Sequence, residues 1–583
     1  MQSSHKSTAK SIQVELVRNN LESIADGMAV TLWRTSRSAV VRTGWDFSTA
    51  ILTPEGELAG QGMCHPIHLG GMMPALKGCT DQYHNNISEG DILVVNDPYS
   101  GGSHLPDIYL FKPIFVSGTL VAYLAAIAHH ADIGGRIPGG QGYDNTEIFQ
   151  EGLCIPPLKL FDKGIANESL FRIIEKAVRV PEQVLGDLQS QVSSLYHGEK
   201  QIQTFLATIN PETYKTVVND LLDYSELLTR QTIRALPDGS WSFTDYVDND
   251  GISSKPIQVT VRLEKKGDEI TVDFEGTSPQ CKGSIQPLMP NTKAMVYAVL
   301  RSVLGNHIPN NSGVFRPVTV LAPKGSFVNP NYPAGVAARQ LGCRRANQAV
   351  WGAIAQVIPE NVFACPGGAD ASIATSGYDK SNTPWRSFVL TEGFNETSGG
   401  ARSDKDGLEG QGANITNQAN TPVEILELEY PIRILDYSLV PNTEGAGKFR
   451  GGLAQRRIYE YQQEGTEVRV RSDRRIQAPW GLKGGHNASP PKIMLRKDEQ
   501  RHAMPSKFQA QMDVKDELTV QWCGGGGYGD PLDRDPEMVR WDVLEQKITR
   551  DRAFHIYGVQ LDPNHEVDYP GTQEKRSVAK QRY

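Results

Sequence analysis

The chain has 583 residues, 39% of them hydrophobic, and a net charge of −8 at pH 7, enough apolar material for the cores of roughly three or four domains. No basic run and no interleaving of basic with aromatic side chains offers a nucleic-acid surface, and the longest apolar run, ending at Ala128, is far too short to cross a membrane. The N-terminus lacks the apolar stretch of a signal peptide, and seven cysteines without a C-x-x-C pair suit a reducing cytosol, so a cytoplasmic protein with no cysteine-based zinc site is expected.

Ile12 to Arg37 is expected to form one helix, because Leu16, Leu21, Ile24, Met28 and Leu32 recur at helical spacing. Short strands should follow at Phe47 to Leu52 and Glu57 to Ala59, around the turn signal Pro54-Glu55-Gly56. Asp107 to Val116 and Thr119 to Ala128 are strand-length apolar runs flanking Ser117-Gly118. A two-residue turn there makes a β-hairpin with Val116 opposite Thr119, and so Asp107 opposite Ala128. Glu168 to Leu236 reads as helical, broken at Pro181 and Pro211, residues that suit a first helical turn.

Strands dominate after Ser240. Pro256 to Leu263 and Glu269 to Phe274 should pair around Lys265-Lys266-Gly267-Asp268, whereas Asn291 to Leu304 and Ala346 to Ile358 look helical. Glu424 to Gln521 is mostly strand-like, Gly484 to Lys492 is the most linker-like piece, and a short helix from Asp535 to Ile548 closes the chain, capped by Asp533 or Asp535. The expected fold class is α+β and multidomain: mixed sheets with an N-terminal helix, a central helical segment and a β-rich C-terminal part. The expected divisions are an αβ region carrying the motifs (1–165), a helical segment (166–236), a mixed region (237–420) and a β-rich region with a terminal helix (421–583).

Five ligand or acid/base side chains, His104, Asp107, His129, His130 and Asp132, fall within 29 positions among glycines that let a backbone approach closely. The hairpin returns the His129-His130 pair beside His104 and Asp107. Imidazoles with a carboxylate make a borderline site of the kind that takes zinc, manganese or iron. A regular hairpin puts His130 on the face of Asp107. His65 and His68 lie upstream in Cys64-His65-Pro66-Ile67-His68, and His68 precedes Gly70-Gly71; close ligand approach and a supporting or packing role are both open. Glu147 and Glu151 are each either a general base or a loop acceptor, and Cys154, in Gly152-Leu153-Cys154-Ile155-Pro156, reads as a buried thiol. The glycines from Gly524 to Gly527 and those of Gly445-Ala446-Gly447 read as structural turns, since no G-x-x-x-x-G-K-[ST] phosphate loop occurs.

At these motifs the chain resembles the hydantoinase B family, the B-type subunits of ATP-dependent N-methylhydantoinases, 5-oxoprolinases and caprolactamases, related to the metal-bearing subunit of acetone and acetophenone carboxylases. The segments that carry the resemblance include Trp45-Asp46-Phe47-Ser48, His65 to Gly70, Asn96 to Asp107, Ala128 to Gly135, Glu147 to Gly152, Asn417 to Glu424, Gly445 to Gly452 and Gly526 to Pro531, so it covers nearly the whole chain.

The resemblance implies a division of labour. An A-type subunit, using ATP and Mg, phosphorylates the carbonyl oxygen of a lactam, imide or ketone, expected here to be a small cyclic amide.

 

The B-type subunit then resolves the activated species at a metal centre, where metal-activated water opens the ring. The resemblance places the metal ligands at Asp46, His104, Asp107 and His129, with Asp107 and His129 also catalytic. It favours His129 over His130, which a bulge or strand end near Ala128 would reconcile with the hairpin. Zinc is the first expectation for the metal, with manganese or iron next. The expected assembly is a heterotetramer of two A and two B subunits, without nucleic acid or membrane. The alternatives are the corresponding subunit of a ketone carboxylase, and a non-catalytic scaffold.

Overall fold

The computed structural model describes residues 2–63, 65–367, 372–381, 383–392, 398–411, 415–416 and 418–581; Cys64 and Asn417, each part of a segment quoted above, lie outside them. The chain is α+β and forms two compact units. The first comprises residues 1–245, 258–353 and 415–418, and the second residues 246–257, 354–414 and 419–583.

The first unit begins with α1 (Gln2–Thr35) and the single turn α2 (Ala39–Arg42). Its main sheet uses β1 (Phe47–Leu52), β2 (Leu58–Gln61), β3 (Ile92–Val95), β4 (Asp107–Val116), β5 (Thr119–His129), β6 (Leu158–Asp162) and β7 (Ile165–Ala166). The strand order is β2-β1-β5-β4-β3-β6-β7, and every pairing is antiparallel. Between β2 and β3 runs α3 (Pro66–Tyr83), a helix that the glycines and Pro74 of its sequence concealed. Its Met72, Ala75, Leu76 and Cys79 cover the sheet face made by Tyr109, Phe111, Ala125 and Ile127.

The opposite face is met by the central helices. Pro181 and Pro211 do separate three of them, α4 (Glu168–Ala177), α5 (Pro181–Leu206) and α6 (Pro211–Arg234), each proline occupying a first turn. α5 packs on β4, β5 and α1. A second sheet holds β8 (Gly239–Val247), β9 (Ile257–Lys266), β10 (Glu269–Asp273) and β11 (Val318–Leu321), with α7 (Met289–Val303) and α8 (Gln340–Ile354) completing the unit. α7 lies against α3, where a Cβ at Gly70 would meet Ala294 Cβ at 2.6 Å.

The second unit is built on two sheets. One begins with β12 (Ser372–Asp379) and β13 (Arg386–Glu392); the short helix α9 (Val423–Glu429) precedes the other. The later strands are β14 (Ile432–Val440), β15 (Ala454–Tyr461), β16 (Thr466–Arg471), β17 (Lys492–Lys497), β18 (Gln500–Ala503), β19 (Lys507–Met512) and β20 (Glu517–Gln521). The orders are β13-β12-β16-β19 and β14-β15-β20-β17-β18. Ile373, Val468 and Phe508 of the first sheet share a core with Tyr459, Leu518 and Val520 of the second. Asp535 caps α10 (Pro536–Leu544), accepting the Glu537 N–H at 2.9 Å. The chain does not close there, because α11 (Arg550–His555) and α12 (Tyr569–Lys580) follow. Among the described residues no helix is long and apolar enough to cross a membrane.

Candidate metal centre

The hairpin turn is the expected one: Ser117 and Gly118 both take positive φ, 50° and 79°, the backbone of a type I′ turn. The expected register is not kept. Ile114 lies opposite Ala122 and Phe115 opposite Leu120, so Val121 has no counterpart, and Asp107 faces His129 rather than Ala128. One extra residue turns every later side chain to the other face. His129 therefore shares the face of Asp107, and His130 points away. β1 adds Asp46 alongside: Phe47 lies opposite Ala128, and the Asp46 carbonyl accepts the His129 N–H at 3.1 Å. Trp45, at φ 61°, turns the chain into β1.

The loop before β4 supplies His104. Asn96 braces that loop, donating to the Leu105 carbonyl at 2.7 Å and the Leu153 carbonyl at 2.9 Å. The N-terminus of α3 brings His65 and His68, whose rings stack 4.8 Å apart. Ser48 Oγ accepts the His65 N–H at 2.8 Å and lies 2.9 Å from His68 Nδ1. His68 turns its other nitrogen, Nε2, toward the carboxylates. That atom stands 3.5 Å from Asp46 Oδ1 and 3.8 Å from Asp107 Oδ1.

The ligand-type atoms of His104, Asp107 and His129 all lie within 4.8 Å of one another, and all three residues are buried. His104 Nδ1 is 2.8 Å from the Ala337 carbonyl, which can only accept, so Nδ1 carries the hydrogen. Nε2 then turns a lone pair toward Asp107 Oδ1 at 3.1 Å. Two lone pairs that close repel unless a proton or a cation lies between them. Burial pushes the His104 pKa down, with Arg339 adding to the fall, which opposes the proton. Ligand atoms each about 2 Å from one ion are themselves roughly 3 to 3.4 Å apart, so the spacing fits a cation.

The remaining electrostatics agree with that fit. Burial would raise Asp107; a charged His104, Arg339 and a charged His68 each hold its carboxyl down, and with both rings neutral Arg339 is the cation that remains. Arg339 donates to Asp107 Oδ2 at 2.6 Å. Asp46 has no such cation: burial, with Asp107 nearby, pushes its carboxyl up to about 7. Gln418 donates to its Oδ2 at 2.7 Å, while Oδ1 has no hydrogen-bond partner among the described residues. His129 Nδ1 likewise has none, and neither does either nitrogen of His65. Burial lowers the pKa of His65, His68 and His129, which favours neutral rings, and His129 Nε2 lies 2.9 Å from Gln141 Nε2. The donor set suits a borderline divalent cation.

The other residues singled out by the sequence lie elsewhere. His130 is buried against α5, its Nε2 3.0 Å from Gln191 Oε1. Asp132 is a loop anchor, accepting N–H groups from Gly139 at 2.9 Å and Arg179 at 2.7 Å. Glu147 is exposed, and Glu151 is buried on the backbone of Val336 and Ala337. Cys154 is exposed, not buried: Ile155 faces inward and bonds Asn96 through its backbone, so its neighbour turns out. Sequence reasoning missed Arg339, Ala337 and Gln418, which lie more than 200 residues from their partners with no local signal. The glycines from Gly524 to Gly527 open no helix; a Cβ at Gly527 would run into the Ala446 carbonyl and stand 2.6 Å from the Gly445 carbonyl oxygen.

Residues 10–531 match the hydantoinase B/oxoprolinase family. The chain belongs to that family. It is 31% identical over 581 residues to the caprolactamase subunit beta of Pseudomonas jessenii, covering 98% of this chain and all of the relative. The crystal structure of the ATP-dependent caprolactamase from that organism superimposes with a TM-score of 0.88 at 30% identity, over 97% of this chain and 99% of the other. 5-Oxoprolinase 1 of Arabidopsis thaliana is 29% identical over 90% of this chain, which spans 42% of that longer protein. A nucleotide-free acetone carboxylase shares the fold, with a TM-score of 0.91 at 19% identity over 98% of this chain and 83% of that one.

Proposed function

We propose that this family member is the catalytic subunit of an ATP-dependent cyclic-amide hydrolase, opening a hydantoin, oxoproline or lactam ring. A partner A-type subunit would phosphorylate the ring carbonyl first, in an assembly of two A and two B subunits. The observation that carries this reading is the convergence of buried His104, Asp107 and His129, their ligand-type atoms within 4.8 Å of one another, with Asp46 alongside, whose Oδ1 has no hydrogen-bond partner among the described residues. The relatives named as a caprolactamase subunit and a 5-oxoprolinase support the substrate class.

Asp46, His104, Asp107 and His129 would hold one divalent cation, zinc first and manganese or iron next. When bound, such an ion supplies Lewis acidity, which makes water nucleophilic near neutral pH. The chain's own residues prepare the site. Arg339 keeps Asp107 ionised, and Gln418 fixes one oxygen of Asp46 while the other faces His68. His68 stays neutral, its pKa pushed down to about 4 by burial, and turns Nε2 between the two carboxylates. Burial excludes bulk water from a substrate whose phosphorylated carbonyl is a far better electrophile than the parent amide.

The test is to purify the chain with its natural partner and measure phosphate release and products on lactams, hydantoins and ketones, with and without bicarbonate. Ring opening independent of bicarbonate is expected. Ketone carboxylation that requires bicarbonate would replace this reading with the ketone-carboxylase one. Undiminished turnover after single changes at the four residues, in an assembled complex, would leave only a scaffold.

A further inference from the structure

We propose that Glu151 is a positioning residue of this centre, holding the segment 333–339 so that His104 and Asp107 keep their facing geometry; this rests on reading the centre as a metal site. Glu151 is 1% exposed, and its Oε1 accepts the N–H of Val336 at 2.6 Å and of Ala337 at 2.9 Å. The same short segment reaches the centre twice. Its Ala337 carbonyl takes the His104 Nδ1 hydrogen, which decides which nitrogen His104 turns to Asp107. Its Arg339 donates to Asp107 Oδ2 and to Ser103 Oγ.

Glu151 touches neither His104 nor Asp107; it acts through the backbone between them. Gly335 leaves room for it, since a Cβ there would stand 2.8 Å from Glu151 Oε1. The start of the segment is tied separately, by the Ile148 N–H to the Pro333 carbonyl at 2.9 Å and by Tyr99 Oη to the Ala334 carbonyl at 2.7 Å. The other oxygen of Glu151 is buried without a hydrogen-bond partner among the described residues, and burial pushes the carboxyl up to about 8. A neutral group with an acceptor at the Oε1 position therefore serves as well as a carboxylate.

The experiment uses the full chain as wild type and as Glu151→Ala, Glu151→Gln and Glu151→Asp. Zn²⁺ affinity is measured by competition with a chromogenic chelator, and ligand geometry by the visible spectrum of the Co²⁺ form. Loss of an outer partner of a metal ligand typically weakens binding by about 10- to 100-fold, and Glu151→Ala should show that loss with an altered spectrum. Glu151→Gln should keep both close to wild type, and Glu151→Asp should fall between, because its acceptor is withdrawn by one methylene. If Glu151→Ala does not fold, the order of the Gln and Asp variants decides: Gln tighter than Asp supports positioning, and the reverse overturns it. Variants that bind as wild type overturn it also. So does a Glu151→Gln complex that loses turnover at unchanged Zn²⁺ affinity, since Glu151 would then act on substrate. A wild-type chain that takes up neither ion overturns the metal reading itself, a result distinct from failure of the Glu151 role alone.

Discussion

Two glycine-punctuated stretches, 96–135 and 523–531, are equally conspicuous in the sequence and are used in opposite ways. The first contributes to a centre where buried polar atoms are left without partners: His129 Nδ1 within the stretch, and Asp46 Oδ1 and both nitrogens of His65 outside it. Such atoms are costly to bury unpaired. In the second, the backbone finds its own partners, with Gly525 N–H bonded to the Gly452 carbonyl, Gly526 to Cys365 and Gly527 to His486. The contrast teaches that a run of glycines near chemistry-bearing residues is not itself a site. What separates the two is whether polar groups remain unmet once the chain has folded.

The most severe way to break this comparison is Asp107→Ala. It should lower turnover of the partnered complex by about 10²-fold or more, with metal content falling in parallel and assembly unchanged. Product formation and elemental analysis on the same preparation check it; wild-type rates would make Asp107 structural. His104→Ala should give the same loss of metal, because removing one ligand leaves the others facing each other unmet.

Gly527→Ala tests the other stretch. Its Cβ would run into the Ala446 carbonyl and stand 2.6 Å from the Gly445 carbonyl oxygen, and overpacking of this kind costs about 1–3 kcal/mol or more. Thermal unfolding should show a clear drop while metal bound per folded chain stays at the wild-type level. A variant that loses metal but not stability would erase the distinction between the regions.

A smaller effect is expected from pH on the metal-free chain. Burial raises Glu151 from 4.5 to about 8 and Asp46 from 3.8 to about 7. Folded pKa values above unfolded ones mean that stability is fully present below pH 4 and is lost as pH rises toward 7 to 8. Each unit of displacement is worth about 1.4 kcal/mol. The histidines run the other way: His68, lowered from 6.5 to about 4, loses its contribution as pH falls through that window. Glu151→Gln should remove the part of the alkaline loss that belongs to Glu151. Denaturant unfolding between pH 5 and 8 checks this (the range over which the two carboxyls ionise), and identical slopes in wild type and variant would contradict it. The smallest effect should come from Glu147→Ala: the residue is exposed, and a change within about 0.5 kcal/mol with unchanged metal affinity is expected.

What could be read from the sequence was local. Pro181 and Pro211 mark helix starts because proline fits a first turn, and Ser117-Gly118 makes the tight turn because Gly118 takes positive φ freely and Ser117 adopts it beside it. α3 was hidden because Gly70, Gly71 and Pro74 look like breakers; Gly70 is small so that α7 can approach. The hairpin brought His104, Asp107 and the histidine pair together on paper, yet nothing in an apolar β-branched run announces that Val121 is the unpaired residue. Asp46 entered only through the family resemblance, since its approach to His129 depends on β1 pairing with β5. Arg339, Ala337 and Gln418 depend on tertiary packing and leave no pattern of their own.

The unpaired Val121 also sets a rule of parity for the hairpin. Between the turn and the end of β5, what matters is whether the count of paired residues is odd or even. Deleting Val121 itself would make the hairpin regular and leave His129 opposite Asp107, whereas deleting a paired residue of β5 with the bulge kept would put His130 there, with composition and hydrophobicity almost unchanged. Length changes that preserve the face must come in pairs, or be absorbed by the bulge at Val121 or the turn at Ser117-Gly118.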